Sequence, residues 1–394
     1  MQLVERHIIL NRPDLQTLCA KSKSLYNQVL YYLRQQYFGK IQQFSEYELS
    51  GLMAEFDDPS FRLMPSNVSQ QTIKFAFKDF KSFRRSNSEW KKNPDKFLGK
   101  PKLPGYKKTL APAYFTYNCF RVVNGYIHFV KDIIEPIKTQ IENAQKITQV
   151  RVIPQATCFI VEVVYQQDEV DLGLPKDRFL CLDLGIDNLA TCVGNVGKPF
   201  IANGKTVKSF NRWFNKTRAV LQSYVGDKGT SKRIQNLLHY RNCWIEDKMH
   251  KASRIIVDYC IENQIGRIVI GKNEGWKQEV NLGKRVNQKF LHIPHAHFIN
   301  QISYKARLVG IEVSITEESY TSKIDHLAGE EMRKQEAYRG KRVKRGLFQS
   351  STKVILNADV NGCLGIARKV LGDSIIRLIT HSGVGLTPYR VQIL

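Results

Sequence analysis

The chain has 394 residues and carries 60 Lys or Arg against 36 Asp or Glu, a formal net charge of +24. A length of this order suits two or three modules rather than one core, and 42% hydrophobic residues exclude wholesale disorder. No stretch approaches the roughly 20 consecutive apolar residues that a bilayer span needs, and the charge excess points to a polyanionic partner, nucleic acid or an anionic membrane surface.

Residues 1–15 hold one short strand-like run, Leu3, Val4, His7 to Leu10, ending at Pro13. Residues 16–99 read as helical. In Gln70 to Arg85 the apolar Ile73, Phe77 and Phe80 recur at i, i+4 and i+7, marking one buried helix face. Lys74, Lys78, Lys81, Arg84 and Arg85 form a basic stripe beside it. Twelve Lys or Arg and three acids between Gln71 and Leu110 leave that window at net +9, with Phe83, Trp90, Phe97 and Tyr106 interleaved. Phosphate contact plus aromatic stacking is how single strands and RNA are held. After the turn-rich LGKPKLPGYKK, the runs AYFTY, FRVV, YIHFV, ITQVRVI and TCFIVEVVY predict a small β-barrel. The first strand joins it and residues 16–99 are an insertion.

From residue 178 the pattern changes. FLCLDLG is a nearly continuous apolar run, as a strand covered on both faces requires. NLATCVGN and KPFIANG follow at hairpin spacing, which predicts three antiparallel strands. A helical stretch over 205–262 breaks at GDKGTS. RIVIG is a further buried strand, 293–308 a helix, and IEVSIT another strand. Residues 320–355 form a polar, basic lid, in which MRKQEAYRGKRVKRG is net +6; ADVNGCLGIARKVL then begins a helix with Asp359 in its first turn. The eight cysteines are scattered with no CxxC pair, which reads as reduced, mostly buried thiols.

Three antiparallel strands followed by alternating helices and strands is the order of the RNase H-like fold. That fold sets an Asp in the middle of its first strand and needs further carboxylates near it to cut phosphodiesters with two divalent metals. Asp183, among Leu180, Cys181, Leu182 and Leu184, fits. The local pattern fits equally an Asp that caps the strand end. Gly185 is read as leaving room for a substrate backbone.

CLDLGIDNLAT resembles the first RuvC motif of the transposon-encoded OrfB/TnpB nucleases, and NADVNGCLGIARKV resembles their third, with Asp359 at the metal-binding aspartate. IVIGKNEGWKQ, NQKFLHIPHAHFINQISYKARLVGIEV, EESYTSK and HKASRIIVDYC resemble intervening blocks, so the likeness is close over about 180–370. It is looser in the amino-terminal half, through LYNQVLYYLRQQY, the Gln70 to Arg85 segment and KPKLPGYKK.

Two departures stand out. The strand that usually ends in the second-motif Glu ends here in Gly271. A layout resembling that of the Fanzor relatives moves this Glu to the next strand, before T-S-K, where Glu317 and Glu318 stand. Strand alternation lets only one of them serve, and the spacing to Thr321 favours Glu318. The family's usual CxxC pairs are missing after T-S-K, so no zinc is expected. His292, His295 and His297 read as polar packing or phosphate contacts.

The resemblance implies an α+β multidomain protein. A wedge-like β-barrel covers 1–15 and 100–175, a helical recognition domain 16–99, and a RuvC-like RNase H-fold nuclease domain 176–394. It implies an RNA-guided, metal-dependent DNA endonuclease using Mg²⁺ or Mn²⁺, with Asp183, Glu318 (or Glu317) and Asp359 as catalytic metal ligands. A guide RNA and target DNA are the implied partners. Lys74, Lys78, Lys81, Arg84, Arg85, Lys341, Arg342, Lys344 and Arg345 would contact nucleic acid. The first residues lack the order of a secretory signal, so a cytoplasmic, nucleoid-associated protein is expected. The competing readings are a non-cleaving RNA-guided DNA-binding regulator, which loss of a glutamate at Gly271 allows, and a guide-independent nuclease or recombinase.

Overall fold

A computed structural model describes residues 1–143, 146–272, 293–344, 346–381 and 386–393. The chain divides into two units, Met1–Gln167 and Asp168–Leu394.

In the first unit β1 (Gln2–Ile9) leads into α1 (Pro13–Tyr37), α2 (Glu46–Glu55), α3 (Pro59–Arg62) and α4 (Ser66–Lys92). The helices start where local chemistry allows. Pro13 opens α1, where its missing N–H costs nothing. Ser45 and Glu48 form a reciprocal capping box on α2, and Asp58 caps α3. In α4 the buried positions Val68, Thr72, Ile73, Ala76, Phe80 and Phe83 lie on one stripe. That face packs on α1, where Tyr26 donates to Asp79 at 2.6 Å.

The strands expected to close one barrel fall, among the described residues, into two hydrogen-bonded sheets. β1, β2 (Ala113–Thr116), β6 (Ile147–Pro154) and β7 (Phe159–Gln166) form an antiparallel sheet in the order β1-β7-β6-β2. β3 (Phe120–Val123), β4 (Tyr126–Phe129) and β5 (Ile137–Lys138) form the other. A single 3₁₀ turn at Tyr117–Cys119 separates β2 from β3 and breaks the run there.

The second unit is built on β8 (Phe179–Leu184), β9 (Asn188–Gly194), β10 (Phe200–Asn203), β11 (Arg267–Gly271), β12 (Glu312–Thr316) and β16 (Tyr389–Val391). They lie in the order β12-β11-β8-β9-β10-β16. β8, β9 and β10 are antiparallel neighbours; β11 is parallel to β8, β12 to β11 and β16 to β10. The hairpin α5 (Lys205–Ser223) and α6 (Lys232–Glu262) connects β10 to β11, and α7 (His295–Arg307) precedes β12. A small sheet, β13 (Lys341–Lys344), β14 (Leu347–Gln349) and β15 (Ile355–Asn357), runs directly into α8 (Ala358–Leu371), which α9 (Ile375–His381) follows.

Alternation along β8 divides the core. Leu180, Leu182 and Leu184 join the cluster with Ile256, Val257 and Phe298 of α6 and α7. Phe179 and Cys181 join the cluster with Cys363, Leu364 and Ala367 of α8. Period-two alternation therefore puts Asp183 on the α8 face.

Candidate metal centre and nucleic-acid surface

β8 is covered on both faces, so its one carboxylate meets little water; Asp183 is registered against Thr191 of β9. Burial holds its carboxyl well above the ordinary range, and the negative Glu318 and Asp359 push it further. Arg342 opposes them. The structure thus brings Glu318 and Asp359 each within electrostatic reach of Asp183, although the three are far apart in sequence.

Each acid has its own positioning device. A Cβ at Gly362 would collide with Asp183 Oδ2, so this glycine lets α8 lie directly against the Asp183 carboxyl. Asp359 sits in the first turn of α8, where the helix dipole favours negative charge. Its backbone N–H donates to the capping Asn357 side chain at 2.8 Å. Its Oδ2 accepts from Asn188 Nδ2 at 2.5 Å, and Asn188 Oδ1 accepts from Arg390 at 2.8 Å.

Glu318 follows β12. A Cβ added to Gly271 would stand 2.6 Å from Glu318 Oε1 and 2.7 Å from its Cγ. The bare α-carbon at 271 is the slot into which Glu318 folds. Gly271 lies one step beyond the registered pair Ile270–Leu182, level with Asp183 on the neighbouring strand. Burial pushes the Glu318 carboxyl up to about 7, against the opposing charge of Lys369. Glu317 is exposed. Lys369, in the last turn of α8, donates to the Glu317 carbonyl at 3.0 Å and to Ser319 Oγ at 2.9 Å, which fixes the loop that carries both acids.

The segment expected as a lid is held by buried polar groups. Asp325 accepts from Ser350 and Ser351 hydroxyls at 2.9 Å and from the Ser351 amide at 2.6 Å. Glu330 accepts from the Asp325 and Arg339 amides. His326 donates Nε2–H to the Thr321 carbonyl at 2.8 Å, while Arg368 donates to its Nδ1 at 3.1 Å. Burial lowers the His326 pKa to about 4, so the ring is neutral in the folded chain. This network ties the lid to α8 through side chains in a stretch that has no thiolate pair.

Gly185 corrects one expectation. Its Cβ would stand 2.6 Å from the Asn188 carbonyl oxygen, so this glycine serves the close approach of the β8–β9 turn rather than making room for substrate. His295 Nε2 lies 3.0 Å from the Gly185 carbonyl, and His297 Nε2 lies 2.8 Å from Glu246 Oε1, so both pack against polar partners; His292 falls outside the described residues. Sequence reasoning missed Asn188 and Arg390. Asn188 stood in the quoted first motif, but nothing in the pattern linked it to Asp359.

The donor set is chemically suited to a hard divalent cation: three carboxylates, two of them disfavoured as buried anions unless a positive charge joins them. Among the described residues, however, no group of three or more His, Cys, Asp or Glu side chains is gathered as it stands to hold a metal ion.

In the first unit Lys74, Lys78, Lys81, Arg84 and Arg85 are all exposed along α4. Phe83 leaves the proposed stacking set, because it belongs to the buried stripe of α4. Tyr106 stays exposed with the Arg34 guanidinium 5.1 Å over its ring, and Lys100 lies 5.5 Å over Trp90. In the second unit Lys341, Arg342 and Lys344 are exposed on β13; Arg345 lies outside the described residues.

Residues 163–277 match the family model OrfB_IS605, described as "Probable transposase", and residues 295–366 match that of the Cas12f1-like TNB domain. The family resemblance read from the motifs is thus met by two family models over these stretches. No curated protein matches the chain. Among solved structures it is similar to a Cas12f1–sgRNA–target DNA complex, at 15% identity and TM-score 0.49, over 90% of this chain and 81% of that one. It is also similar to the mini-RNA-guided endonuclease CRISPR-Cas_phi3, at 10% identity and TM-score 0.47, over 94% and 93%. Among the described residues no helix is long and apolar enough to cross a membrane.

Proposed function

We propose that the chain is an RNA-guided DNA endonuclease of the transposon-encoded OrfB/TnpB type. The observation that carries this reading is that Glu318 and Asp359 both bear electrostatically on the buried Asp183, with Glu318 folded into the space where position 271 has no side chain. The strand order β10-β9-β8-β11-β12, with its first three strands antiparallel, supports an RNase H-like domain.

Asp183, Glu318 and Asp359 would hold Mg²⁺ or Mn²⁺, which when bound activates water and stabilises the leaving oxygen of the phosphodiester. The chain's own residues prepare that site. Burial favours the protonated forms of Asp183 and Glu318, so a cation bound there would displace those protons, and Asn188, itself held by Arg390, orients Asp359. Arg342 brings positive charge toward the acids, where a scissile phosphate must lie. Cleavage leaves a 3′-hydroxyl. The basic face of α4 takes phosphates of the guide RNA or heteroduplex, so that base pairing reads the target and the protein reads shape and a short flanking motif.

The test is to purify the protein from cells, sequence the RNA that comes with it, and offer a DNA matched to that RNA in Mg²⁺. Cutting of matched but not scrambled DNA is expected; absence of bound RNA, or cutting of both DNAs alike, overturns the reading. The second reading, a non-cleaving RNA-guided DNA-binding regulator, rests on the glycine that stands at position 271 where the usual second-motif glutamate would be. It predicts matched binding with neither nicking nor Mn²⁺ uptake.

A further inference from the structure

We propose that the α5–α6 hairpin of the second unit is a stacking platform for single-stranded nucleic acid. Between Lys205 and Ile245 the chain carries nine Lys or Arg and one acid, Asp227 in the connecting turn. A face this one-sided is not a solvated mixture of signs.

Aromatic rings stand within that field. Phe210 and Trp244 stack at 4.0 Å and 14°, joining the two helices from inside. Trp213 leans on Phe210 at 5.3 Å and meets Tyr240 edge-on at 6.4 Å. Trp213 is nonetheless 46% exposed, Tyr240 54% and Tyr224 81%. Phe210 and Trp244 account for packing inside the hairpin, whereas Trp213 and Tyr240 leave much of their surface open to a ligand.

The spacing sets these groups on one face. The buried residues of α5 are Val207, Asn211 and Phe214. Opposite them, at helical spacing, come Lys205, Arg212, Trp213, Lys216 and Val220, all exposed. Arg241 fixes the partner helix by donating to Asn211 at 3.1 Å and lying 5.2 Å over the Phe214 ring. The outcome is a firm hairpin whose outer side offers aromatic surface among cations. Such a surface suits unpaired bases, whose faces are free to stack while the cations meet the phosphates; in a duplex those faces are hidden. RNA and DNA single strands share this chemistry.

The test uses the full chain. Binding of fluorescein-labelled rU and dT oligonucleotides, and of a duplex of equal length, is compared among wild type, Trp213→Ala, Tyr240→Ala and Trp213→Phe. The alanine variants should lose about 10-fold in affinity for single strands and almost nothing for duplex, with Trp213→Phe close to wild type. Whether rU or dT loses more identifies the strand the platform serves. Ultraviolet cross-linking of dT and rU to the wild-type chain, read by mass spectrometry, covers the case of a variant that misfolds, and adducts at Trp213 or Tyr240 are expected. Equal losses for duplex and single strand, unchanged single-strand affinity, or no adduct between Lys205 and Trp244 would overturn the proposal. None of these readouts involves cleavage, so they fail or succeed independently of the nuclease reading.

Discussion

Replacing Gly271 by Ala tests the packing that places Glu318. The new methyl carbon would meet Glu318 Oε1 at 2.6 Å and Cγ at 2.7 Å, and would also crowd Cδ1 of the fully buried Ile366. Ordinary carbon contact begins near 3.4 Å by the same measure, so Glu318 Cγ must retreat by about 0.7 Å. Ile366 is held by the α8 core and cannot absorb the clash for free, and overpacking of this kind costs about 1–3 kcal/mol. A displacement approaching ~1 Å in a catalytic group costs on the order of 10²-fold in rate. The assay is single-turnover cleavage of matched DNA in Mg²⁺, with urea unfolding on the same preparations. Gly271→Ala should cut about 10²-fold more slowly and unfold at lower urea. Wild-type rate together with wild-type stability would refute the idea that the empty position makes room for the acid.

Glu318→Gln should abolish measurable cleavage while Glu317→Gln, at an exposed position, stays near wild type; equal rates in single-turnover assays would remove the distinction. His326 gives a pH signature. Its folded value, about 4, lies below the ordinary 6.5, so its contribution is complete above pH 6.5 and is lost as pH falls toward 4. The shift corresponds to about 3 kcal/mol, so urea midpoints of His326→Asn should start lower at pH 7 and fall less on acidification than those of wild type; parallel curves would contradict the neutral ring. Changing Lys74, Lys78 and Lys81 together to Ala should flatten the dependence of log affinity on log salt by about 2, read by anisotropy with matched DNA, whereas an unchanged slope would clear α4 of phosphate contact.

The elements carried by strong periodicity were legible. The apolar run Phe179–Leu184, the basic stripe of α4, the break between α5 and α6, and Asp359 in the first turn of α8 all stand where hydrophobic pattern and capping chemistry put them. β13, β14 and β15 were not legible, since strands of three or four residues are too short to show an alternation of their own and are specified by their partners. The carboxy-terminal HSGVGLTPYRVQIL carried no readable signal, yet it supplies β16 and Arg390. Position 271 shows the limit best. Sequence reveals a glycine and, further on, two glutamates; only the fold shows that Glu318 enters the space above that glycine while Glu317 faces water. Phe83 was misread because its exposure depends on α1 packing beside it, which no local pattern encodes.

The most direct measurement is single-turnover cleavage of RNA-matched DNA in Mg²⁺ by wild type, Asp183→Ala and Asp359→Ala at matched guide occupancy. Both variants should bind the matched DNA and cut at least about 10³-fold more slowly, since on the proposed reading each removes an acid that would hold the activating cation. Cutting at the wild-type rate by either one would contradict the account.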